Sequence, residues 1–393
     1  MNRCHRIAVI IVPLLAAACL LSAAPGAGGI RAPGAPGGAA DEYPRLAADL
    51  PHSSAVVALG FAPDDTHLIS GEENGSLHVW AIDTWEEIAA MQHRDRVEAL
   101  AFSSDGLRLA TASADGTARL WDIDSGDRLA TINHAAAVHA VGFYDDDRRL
   151  VTASSDGNVR ILDIEAERQT SGFKPQVADG APLQVMDFAI SPDDQWLATI
   201  SVGMGGPGVI HASDIAARDS VELLTFDGCA CSNILFSPNG RWLVTGLGDG
   251  KVGVWRSGTW PLTRRLVTAS GSPLTLLAFS PDGRWLAAAG SGADPTIYLW
   301  DARSWVLRAQ MQPGGAVCAL AFSDDGGLLA VGVGGEGDGQ PQEAQVWDPA
   351  AGELIAHLPH DAPVQAAAIS HDGRWLAAGG ADTLRVWELA PGR

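Results

Sequence analysis

The residue pair with the most evident chemistry is Cys229 and Cys231, separated by a single alanine. Two thiols at this spacing could bind a metal or form a disulfide in an oxidising compartment. No second cysteine pair and no nearby group of histidines completes a zinc-binding set. Cys231 also falls at a position where similar segments carry valine, as at Val97 and Val138. The sequence therefore favours a small buried side chain at Cys231, with a disulfide to Cys229 as the alternative.

Histidines and a glycine-rich stretch are the other candidates for chemistry. Histidine recurs at one position of a repeated segment, which indicates structural side chains and not converging metal ligands: His52, His93, His134 and His360. Residues 334–339 are rich in glycine, but no Gly-Lys-Ser/Thr follows them and the ligand pattern of a calcium loop is missing. No nucleophile elbow or zinc-protease helix is recognisable. We therefore predict no catalytic residue, no metal and no cofactor.

The elements that carry these residues are repeats of about 42 residues. Each repeat ends in a Trp-Asp-like pair, and consecutive pairs are 40 to 51 residues apart. The residues at the tryptophan position are Trp80, Trp121, Leu162, Ser213, Trp255, Trp300, Trp347 and Trp387. Apolar residues at both alternate positions indicate short strands covered on both faces, and turns such as Asp115-Gly116 separate them. Short strands, frequent turns and no amphipathic helix predict an all-β propeller.

These repeats resemble the WD40-repeat family over roughly residues 45–393. The residues of the second copy at the family's structural tetrad positions are His93, Thr111, Asp115 and Trp121. Their counterparts in the first copy are His52, Ser70, Asn74 and Trp80. The resemblance implies that each complete tetrad forms a hydrogen-bonded network within one blade. The third copy has Leu162 in place of tryptophan, and the eighth has Ala378 in place of the hydroxyl residue.

The number of copies predicts an eight-bladed propeller, with seven blades as the alternative if one copy lies outside the ring. The last copy stops after its third strand, at Trp387 and Glu388. Residues 45–50 resemble the outer-strand segment that begins at Arg128. We expect residues 45–50 to supply the outer strand of the last blade, because this would join the chain ends in one sheet and remove an open edge.

The first 24 residues have the pattern of an export signal. Arg3 and Arg6 precede an apolar run at residues 7–18. The run meets Ala16-Ala17-Ala18-Cys19, which resembles a bacterial lipobox and implies lipid attachment at Cys19. The sequence departs from that pattern at Ala16, where leucine is usual.

Two other fates of the N-terminus remain as alternatives: cleavage after Gly26, or retention as an uncleaved membrane anchor. Residues 25–42 are rich in glycine, alanine and proline and are expected to be a flexible tether. The domain organisation is then a signal at 1–24, the tether at 25–42 and the propeller at 43–393. We expect an exported protein that stays in the cell envelope, periplasmic or lipid-anchored, or is secreted.

The net charge of −21 limits the partners. It argues against nucleic acid, which is bound by neutralising phosphates, and against electrostatic docking on anionic lipid. A membrane would then be reached only through the N-terminus. Acidic turns such as Asp64-Asp65 and Asp145-Asp146-Asp147 are interpreted as turn-forming and solubilising. An acidic rim for a basic partner is the alternative.

The resemblance implies a platform for protein partners, which in this family commonly bind the top face, three and five residues after the tetrad histidine. The residues predicted to contact a partner are Arg96, Glu98, His139, Gln184, Met186, Ser232, Thr275 and Gln365, with Cys318 in the seventh copy. We expect a monomeric, non-catalytic scaffold. One alternative is a propeller enzyme similar to quinone-dependent dehydrogenases. Another is a carbohydrate or small-ligand binder that uses the turn residues Trp85, Trp260 and Trp305.

Overall fold

The computed structural model describes residues 9–11, 44–175, 182–203, 208–217, 219–226, 233–247, 249–268, 271, 273–290, 295–334 and 341–389. These residues form strands and turns, and none of them is in a helix. The described part of the chain therefore contains no helix that could cross a membrane. The all-β prediction is confirmed.

Eight antiparallel sheets, called blades 1 to 8 in chain order, make up the fold. The inner strands of the blades are Val56–Phe61, Val97–Phe102, Val138–Tyr144, Leu183–Ile190, Ile234–Phe236, Leu276–Phe279, Val317–Phe322 and Ala366–Ile369. The second strands are His67–Glu72, Arg108–Ser113, Arg149–Ser154, Trp196–Gly203, Trp242–Gly246, Trp285–Ala289, Leu329–Val333 and Trp375–Gly379. Each inner strand contacts the inner strands of its neighbours, so the inner strands form a closed ring around a central channel.

The remaining strands form the outer half of each blade. The third strands are Ser76–Ala81, Thr117–Asp122, Val159–Asp163, Gly208–Asp214, Lys251–Arg256, Ile297–Asp301, Glu343–Asp348 and Thr383–Glu388. The outer strands of blades 1 to 7 are Glu87–Gln92, Arg128–Asn133, Arg168–Phe173, Ser220–Phe226, Leu262–Val267, Val306–Met311 and Glu353–Pro359. The eight-bladed prediction is confirmed, and each blade has four strands in the same order.

The outer strand of blade 8 comes from the other end of the chain. Arg45–Pro51 pairs antiparallel with Thr383–Glu388, and Leu46 lies opposite Trp387. The predicted closure by residues 45–50 is confirmed. The reason is physical: an unpaired third strand would expose a full row of backbone hydrogen-bonding groups at the seam.

One further short strand, Val9–Ile11, pairs antiparallel with the inner strand of blade 2, with Ile10 opposite Leu100. These residues belong to the predicted export signal. The rest of that signal, including Cys19, and the predicted tether at 25–42 lie outside the described residues.

The core of the molecule lies between the blades. Eight apolar clusters each join two adjacent blades, which explains why the strands are apolar on both faces. The cluster between blades 8 and 1 contains Leu59, Trp80 and Val386, and it also contains Leu50 from the closing strand. The seam between the two chain ends is therefore packed like any other blade interface.

The acidic turns on the lower face link neighbouring blades. We call lower the face that carries the turns between inner and second strands and between third and outer strands; the opposite face is the upper face. Asp65 of blade 1 accepts hydrogen bonds from the backbone amides of His371 and Asp372 of blade 8, at 2.8 and 2.7 Å. Asp147 of blade 3 accepts one from the Ser104 amide of blade 2 at 2.7 Å. The sequence did not indicate this inter-blade role, because it predicted only turn formation.

Candidate functional site

The candidate site is built on an irregularity that repeats in the inner strands. In blades 1, 2, 3, 4 and 7 the pairing of the inner with the second strand skips one residue near the upper face, which is a β-bulge. The skipped residues are Val57, Glu98, His139, Met186 and Cys318. A bulge releases its residue from the ladder and redirects the side chain. The same position is therefore redirected in five blades around the channel.

Residues at this position, together with Arg96 and Gln184 two residues before it in blades 2 and 4, form what we call the bulge ring. In blade 6 the position is Thr275, whose amide donates to the Ala289 carbonyl at 3.0 Å, and in blade 8 it is Gln365, whose amide donates to Gly379 at 2.8 Å. The blade 5 position, Ser232, lies outside the described residues, as do Cys229 and Cys231. Four of the residues predicted from the sequence at five places after the tetrad histidine, Glu98, His139, Met186 and Cys318, are thus bulge residues.

Arg96 and Glu98 form the charged part of the ring. The Arg96 Nε lies 4.0 Å from the Glu98 carboxylate, and only 14% and 11% of their side chains are exposed. Nε and Nη2 of Arg96 are buried and have no hydrogen-bond partner among the described residues. Burial raises the pKa of Glu98, and Arg96 partly opposes this effect. The pair therefore holds hydrogen-bonding capacity that the described residues do not use.

His139 occupies the bulge position of blade 3, which corresponds to Glu98 in blade 2. Its Nε2 is 2.6 Å from the Ser155 hydroxyl, and its Nδ1 is buried without a partner among the described residues. The residue is 6% exposed, and burial lowers its pKa to about 4. A neutral imidazole with one free nitrogen offers one hydrogen bond to a ligand, as donor or acceptor according to the tautomer.

Blade 4 contributes Gln184 and Met186, both partly exposed. The residue after the bulge, Asp187, is fully buried, and it accepts hydrogen bonds from the Phe188 amide at 2.7 Å and the Ile234 amide at 3.0 Å. Ile234 begins the inner strand of blade 5, so Asp187 links blades 4 and 5 next to the bulge ring. Burial raises the pKa of Asp187 well above its usual value. Sequence reasoning missed this residue, although an acid where other blades carry alanine, as at Ala99 and Ala140, was a visible signal.

The tetrad of blade 2 is a connected network. His93 Nε2 lies 2.7 Å from the Thr111 hydroxyl, and Trp121 Nε1 donates to the same oxygen at 2.8 Å. His93 Nδ1 lies 3.2 Å from the Asp115 carboxylate, which also accepts from the Arg94 amide at 3.0 Å. The network therefore connects the second and third strands of blade 2 to the loop that leads to Arg96.

The electrostatics of this network are those of a structural site. Burial lowers the pKa of His93 to about 4, and the charge of Arg119 adds to the effect. Burial alone would raise the pKa of Asp115, but hydrogen bonds from the Arg94 amide, the Thr117 hydroxyl and His93 lower it to about 2. The histidine is neutral and the aspartate charged at neutral pH. No group in the tetrad has a pKa near 7, which a general acid or base would need.

The other tetrads are modified in different ways. In blade 3, His134 lies 2.8 Å from Thr152 and 3.1 Å from Asp156, with Leu162 in the tryptophan position. In blade 1, His52 and Trp80 share the Ser70 hydroxyl at 2.8 and 3.0 Å. Asn74 does not join them.

Asn74 bonds to Ser53 and Glu72 instead, at 2.8 and 3.1 Å, and His52 Nδ1 lies 3.0 Å from the Leu50 carbonyl. The side-chain amide of Asn74 therefore bonds to the loop above blade 1.

In blade 7, Trp347 Nε1 donates to Gln345 at 2.9 Å. In blade 8, Ala378 leaves His360 and Trp387 without a shared hydroxyl. Their rings are 6.5 Å apart.

An arginine extends the network in two blades. Arg119 donates to Asp115 at 3.1 Å, and Arg160 donates to Asp156 at 3.4 Å. Both arginines lie on third strands, opposite the hydroxyl residues Thr111 and Thr152. Sequence reasoning missed this fifth member, although its spacing of four residues from the aspartate was a readable signal.

Comparison with known families identifies the repeats. The WD40 profile (WD domain, G-beta repeat) matches residues 46–81, 85–122, 126–163, 220–256, 262–301 and 352–388. These six segments cover more than half of the chain. The chain belongs to the WD40-repeat family. Each matched segment contains the outer strand of one blade and the first three strands of the next, so the WD40 repeat and the blade are offset by one strand.

Other comparisons bear on the fold alone. Among curated proteins, none matches this WD40 chain. Solved structures match in large number, 1844 chains in all, which fits a fold that serves many purposes. One is the crystal structure of the computationally designed Ika8 protein. It is 24% identical, has a TM-score of 0.68, and the alignment covers 86% of this chain and 97% of that one.

The lower face of this WD40 propeller carries paired tryptophans. Trp85 packs edge-to-face on Trp375, Trp260 on Trp196 and Trp305 on Trp242, with ring centroids 5.2, 5.0 and 5.7 Å apart. Each pair joins two adjacent blades. The three turn tryptophans are half-buried or buried, because each packs against another tryptophan. They therefore do not form a circle of exposed aromatic side chains on the described lower face.

The described residues also include no group of three or more His, Cys, Asp or Glu side chains placed to hold a metal ion. Cys318 is partly exposed at the bulge position of blade 7.

Proposed function

We propose that this WD40 propeller is a non-catalytic scaffold that binds a segment of a partner protein over the bulge ring, and that it does so outside the cytoplasm. The observation that carries the proposal is the unused hydrogen-bonding capacity of two buried side chains in the ring. Nε and Nη2 of Arg96 and Nδ1 of His139 have no partner among the described residues. Buried polar groups are normally paired, and leaving one unpaired costs about 1–3 kcal/mol.

A partner that supplies acceptors would recover this free energy. Arg96 would take a carboxylate or a backbone carbonyl, because a guanidinium donates in a fixed planar geometry. His139 would take a second polar atom, and the partly exposed Met186 would adapt to an apolar side chain. The partner segment we expect therefore has an acceptor-rich backbone or an acidic residue beside an apolar one.

The proposed location outside the cytoplasm rests on the leader. Arg3 and Arg6 ahead of the apolar run, and the Cys19 motif, support export and lipid attachment. A lipid on Cys19 and the glycine-, alanine- and proline-rich segment 25–42 would tether the propeller to a membrane surface.

The test is an affinity capture from native envelope extract with two versions of the full-length protein. We compare the wild type with the double variant Arg96→Glu, Met186→Asp, which reverses the charge and removes the apolar contact of the ring. The expected result is one or more proteins that the wild type retains and the variant loses. A purified partner should then bind the variant about tenfold or more weakly in a titration.

The matched control is Arg128→Glu, Val221→Asp, which makes the same charge changes, again at one arginine and one apolar residue, on exposed outer strands. Partners should be retained by the control. Equal retention by all three proteins would contradict the proposal. So would a chromophore, calcium or glycan found by native mass spectrometry of the wild type in the absence of any specific protein partner, because it would favour an enzyme or a small-ligand binder.

A further inference from the structure

Charge is distributed unevenly around the propeller. Blades 5 and 6, residues 233–311, carry eight Lys and Arg against four Asp and no Glu, a net charge of +4. The whole chain has −21, so the remaining residues carry −25. Blades 5 and 6 are therefore a basic sector in a strongly acidic protein. An anionic partner would be attracted to this sector and repelled by the rest of the surface.

Two adjacent arginines on the outer strand of blade 5 are exposed. No hydrogen bond or ion pair joins the side chain of Arg264 or Arg265 to a described residue, although the charge of Arg265 helps to lower the pKa of Asp249. Some arginines elsewhere in the fold are paired, as Arg45 is with Glu388 and Arg385 with Asp49. The charges of Arg264 and Arg265 are thus available to a ligand.

A groove lies beside these arginines. It runs between the outer strand of blade 5 and blade 6, has a volume of about 460 Å³, and is lined by residues 263–267 together with Trp300, Trp305 and Leu307. Leu262 and Val267, at the two ends of the strand, are 39% and 62% exposed. The groove therefore combines two exposed cations with a mainly polar lining, and Leu262 and Val267 supply apolar surface at its ends.

We propose that an extended acidic segment of a partner protein binds here, adding a strand to the edge of blade 5. The outer strand Leu262–Val267 is the edge of its sheet, and no described strand pairs with its outer side. An open edge offers backbone donors and acceptors to an added strand. The basic sector selects for carboxylates, and the exposed Leu262 and Val267 would contact apolar side chains.

The register of the strand defines the sequence pattern of the ligand. Arg264 lies opposite Val254 and Arg265 opposite Gly253, so the two arginines point to different faces of the sheet. Consecutive residues of an added strand also alternate between faces. Two consecutive acidic residues would therefore meet the two arginines, one on each side, and an apolar residue next to them would reach Leu262 or Val267.

The experiment is a fluorescence-anisotropy titration of full-length protein with the labelled peptide Val-Glu-Glu-Val-Glu-Glu. Its counterpart with glutamine in place of glutamate serves as the uncharged probe. We expect the acidic peptide to bind, its affinity to fall with added salt, and the variant Arg264→Glu, Arg265→Glu to bind it about tenfold more weakly. Hydrogen exchange of the amides in residues 262–267 should slow when the peptide is bound, because an added strand protects the edge.

Control variants separate this site from other effects. Arg128→Glu, Arg168→Glu makes the same charge change at the start of the outer strands of blades 2 and 3 and should leave peptide binding unchanged. Equal binding of the glutamine peptide, an equal loss in this control, or no change in amide exchange would each overturn the proposal. So would displacement of the peptide by phosphatidylserine vesicles at lower concentration, since the site would then favour lipid headgroups.

The site is independent of the bulge ring. The variant Arg96→Glu, Met186→Asp should bind the acidic peptide like the wild type, and Arg264→Glu, Arg265→Glu should retain the partner captured from envelope extract. The two proposals can therefore fail independently, and each failure would give a different experimental result.

Discussion

Arg45 donates a hydrogen bond of 2.9 Å to Glu388, which follows it in the chain by 343 residues. Glu388 also accepts hydrogen bonds from Arg374 at 3.0 and 2.8 Å, and these arginines lower its pKa. One carboxylate on the third strand thus bonds to the outer strand and to the residue that precedes the second strand of blade 8. The outer strand comes from the start of the described propeller, so this contact lies at the closure of the ring.

The closing strand should be a determinant of global stability. Leu50 is 6% exposed and packs between blades 8 and 1, whereas Leu46 on the same strand is 49% exposed. We expect Leu50→Ala to lower the free energy of unfolding by about 3 kcal/mol, and Leu46→Ala by about 0.5 kcal/mol or less. Urea titration followed by tryptophan fluorescence measures both. Similar values for the two variants would mean that the strand is not packed as described.

A missing hydroxyl in blade 8 can be restored. Ala378 stands where Thr111 stands in blade 2, and both Ala378 and its neighbour Ala377 are fully buried. We expect Ala378→Ser to raise the free energy of unfolding by about 1 kcal/mol, because its hydroxyl can serve His360 and Trp387. Ala377→Ser is the control, and its unpaired hydroxyl should cost about 1–2 kcal/mol. Thermal unfolding gives the sign, and a loss of stability in both variants would contradict the prediction.

Buried histidines should make stability depend on pH. The pKa values of His139 and His93 are lowered to about 4 by burial, whereas in the unfolded chain histidine takes up its proton near pH 6.5. The unfolded state therefore binds more protons between about pH 6.5 and about pH 4, so the free energy of unfolding falls as pH drops through this window. The loss is up to about 3 kcal/mol for each histidine.

Unfolding titrations at about pH 7 and about pH 5 measure this effect. The variant His139→Asn should lose less stability between the two pH values than the wild type. The tetrad aspartates act in a separate window: the pKa values of Asp115 and Asp156 are lowered to about 2, so their contribution is lost only as pH falls below about 4. An unchanged pH dependence in His139→Asn would show that its burial is not what shifts the titration.

Because Trp260 has a positive φ, replacing it with glycine should destabilise the protein less than replacing it with alanine. Trp260 has φ of 58° and packs on Trp196, while glycine occupies the same turn position in blades 2 and 7, at Gly126 and Gly352 with φ of 70° and 71°. Both Trp260→Ala and Trp260→Gly lose the ring contact and should be destabilising. We expect the glycine variant to be more stable than the alanine variant by about 1 kcal/mol, because only glycine adopts positive φ without strain. The opposite order in urea titrations would contradict this account.

Lipid attachment at Cys19 is testable in cells. We expect radiolabelled palmitate to enter the wild-type protein and not Cys19→Ser, and the variant to leave the membrane fraction. The control is Cys4→Ser, which removes the other leader cysteine and should still be labelled. Membrane retention of an unlabelled wild-type protein would favour the uncleaved anchor, and release of a protein that begins after Gly26 would favour conventional cleavage.

Much of the fold could be predicted because its signals are local. The turn sequences, the apolar alternation and the recurring Trp-Asp position all act within one repeat, and together they predicted the strands and the eight blades. Even the long-range closure was predictable, since residues 45–50 resemble an outer strand and the last copy lacks one. The positions now found in the bulge ring were predicted through family resemblance, by counting from the tetrad histidine.

Other features depended on which blades meet in space. The sequence alone determined the repeat, the strand order and the positions of residues such as Glu98 and His139. Only the tertiary structure decided that these two side chains sit on bulges, that Asp187 is buried against the amide of Ile234 one blade away, and that Arg264 and Arg265 are exposed beside a groove. The physical reason is range: backbone ladders follow from neighbouring residues, whereas burial and charge pairing depend on side chains of different blades, one or more repeats apart in the chain.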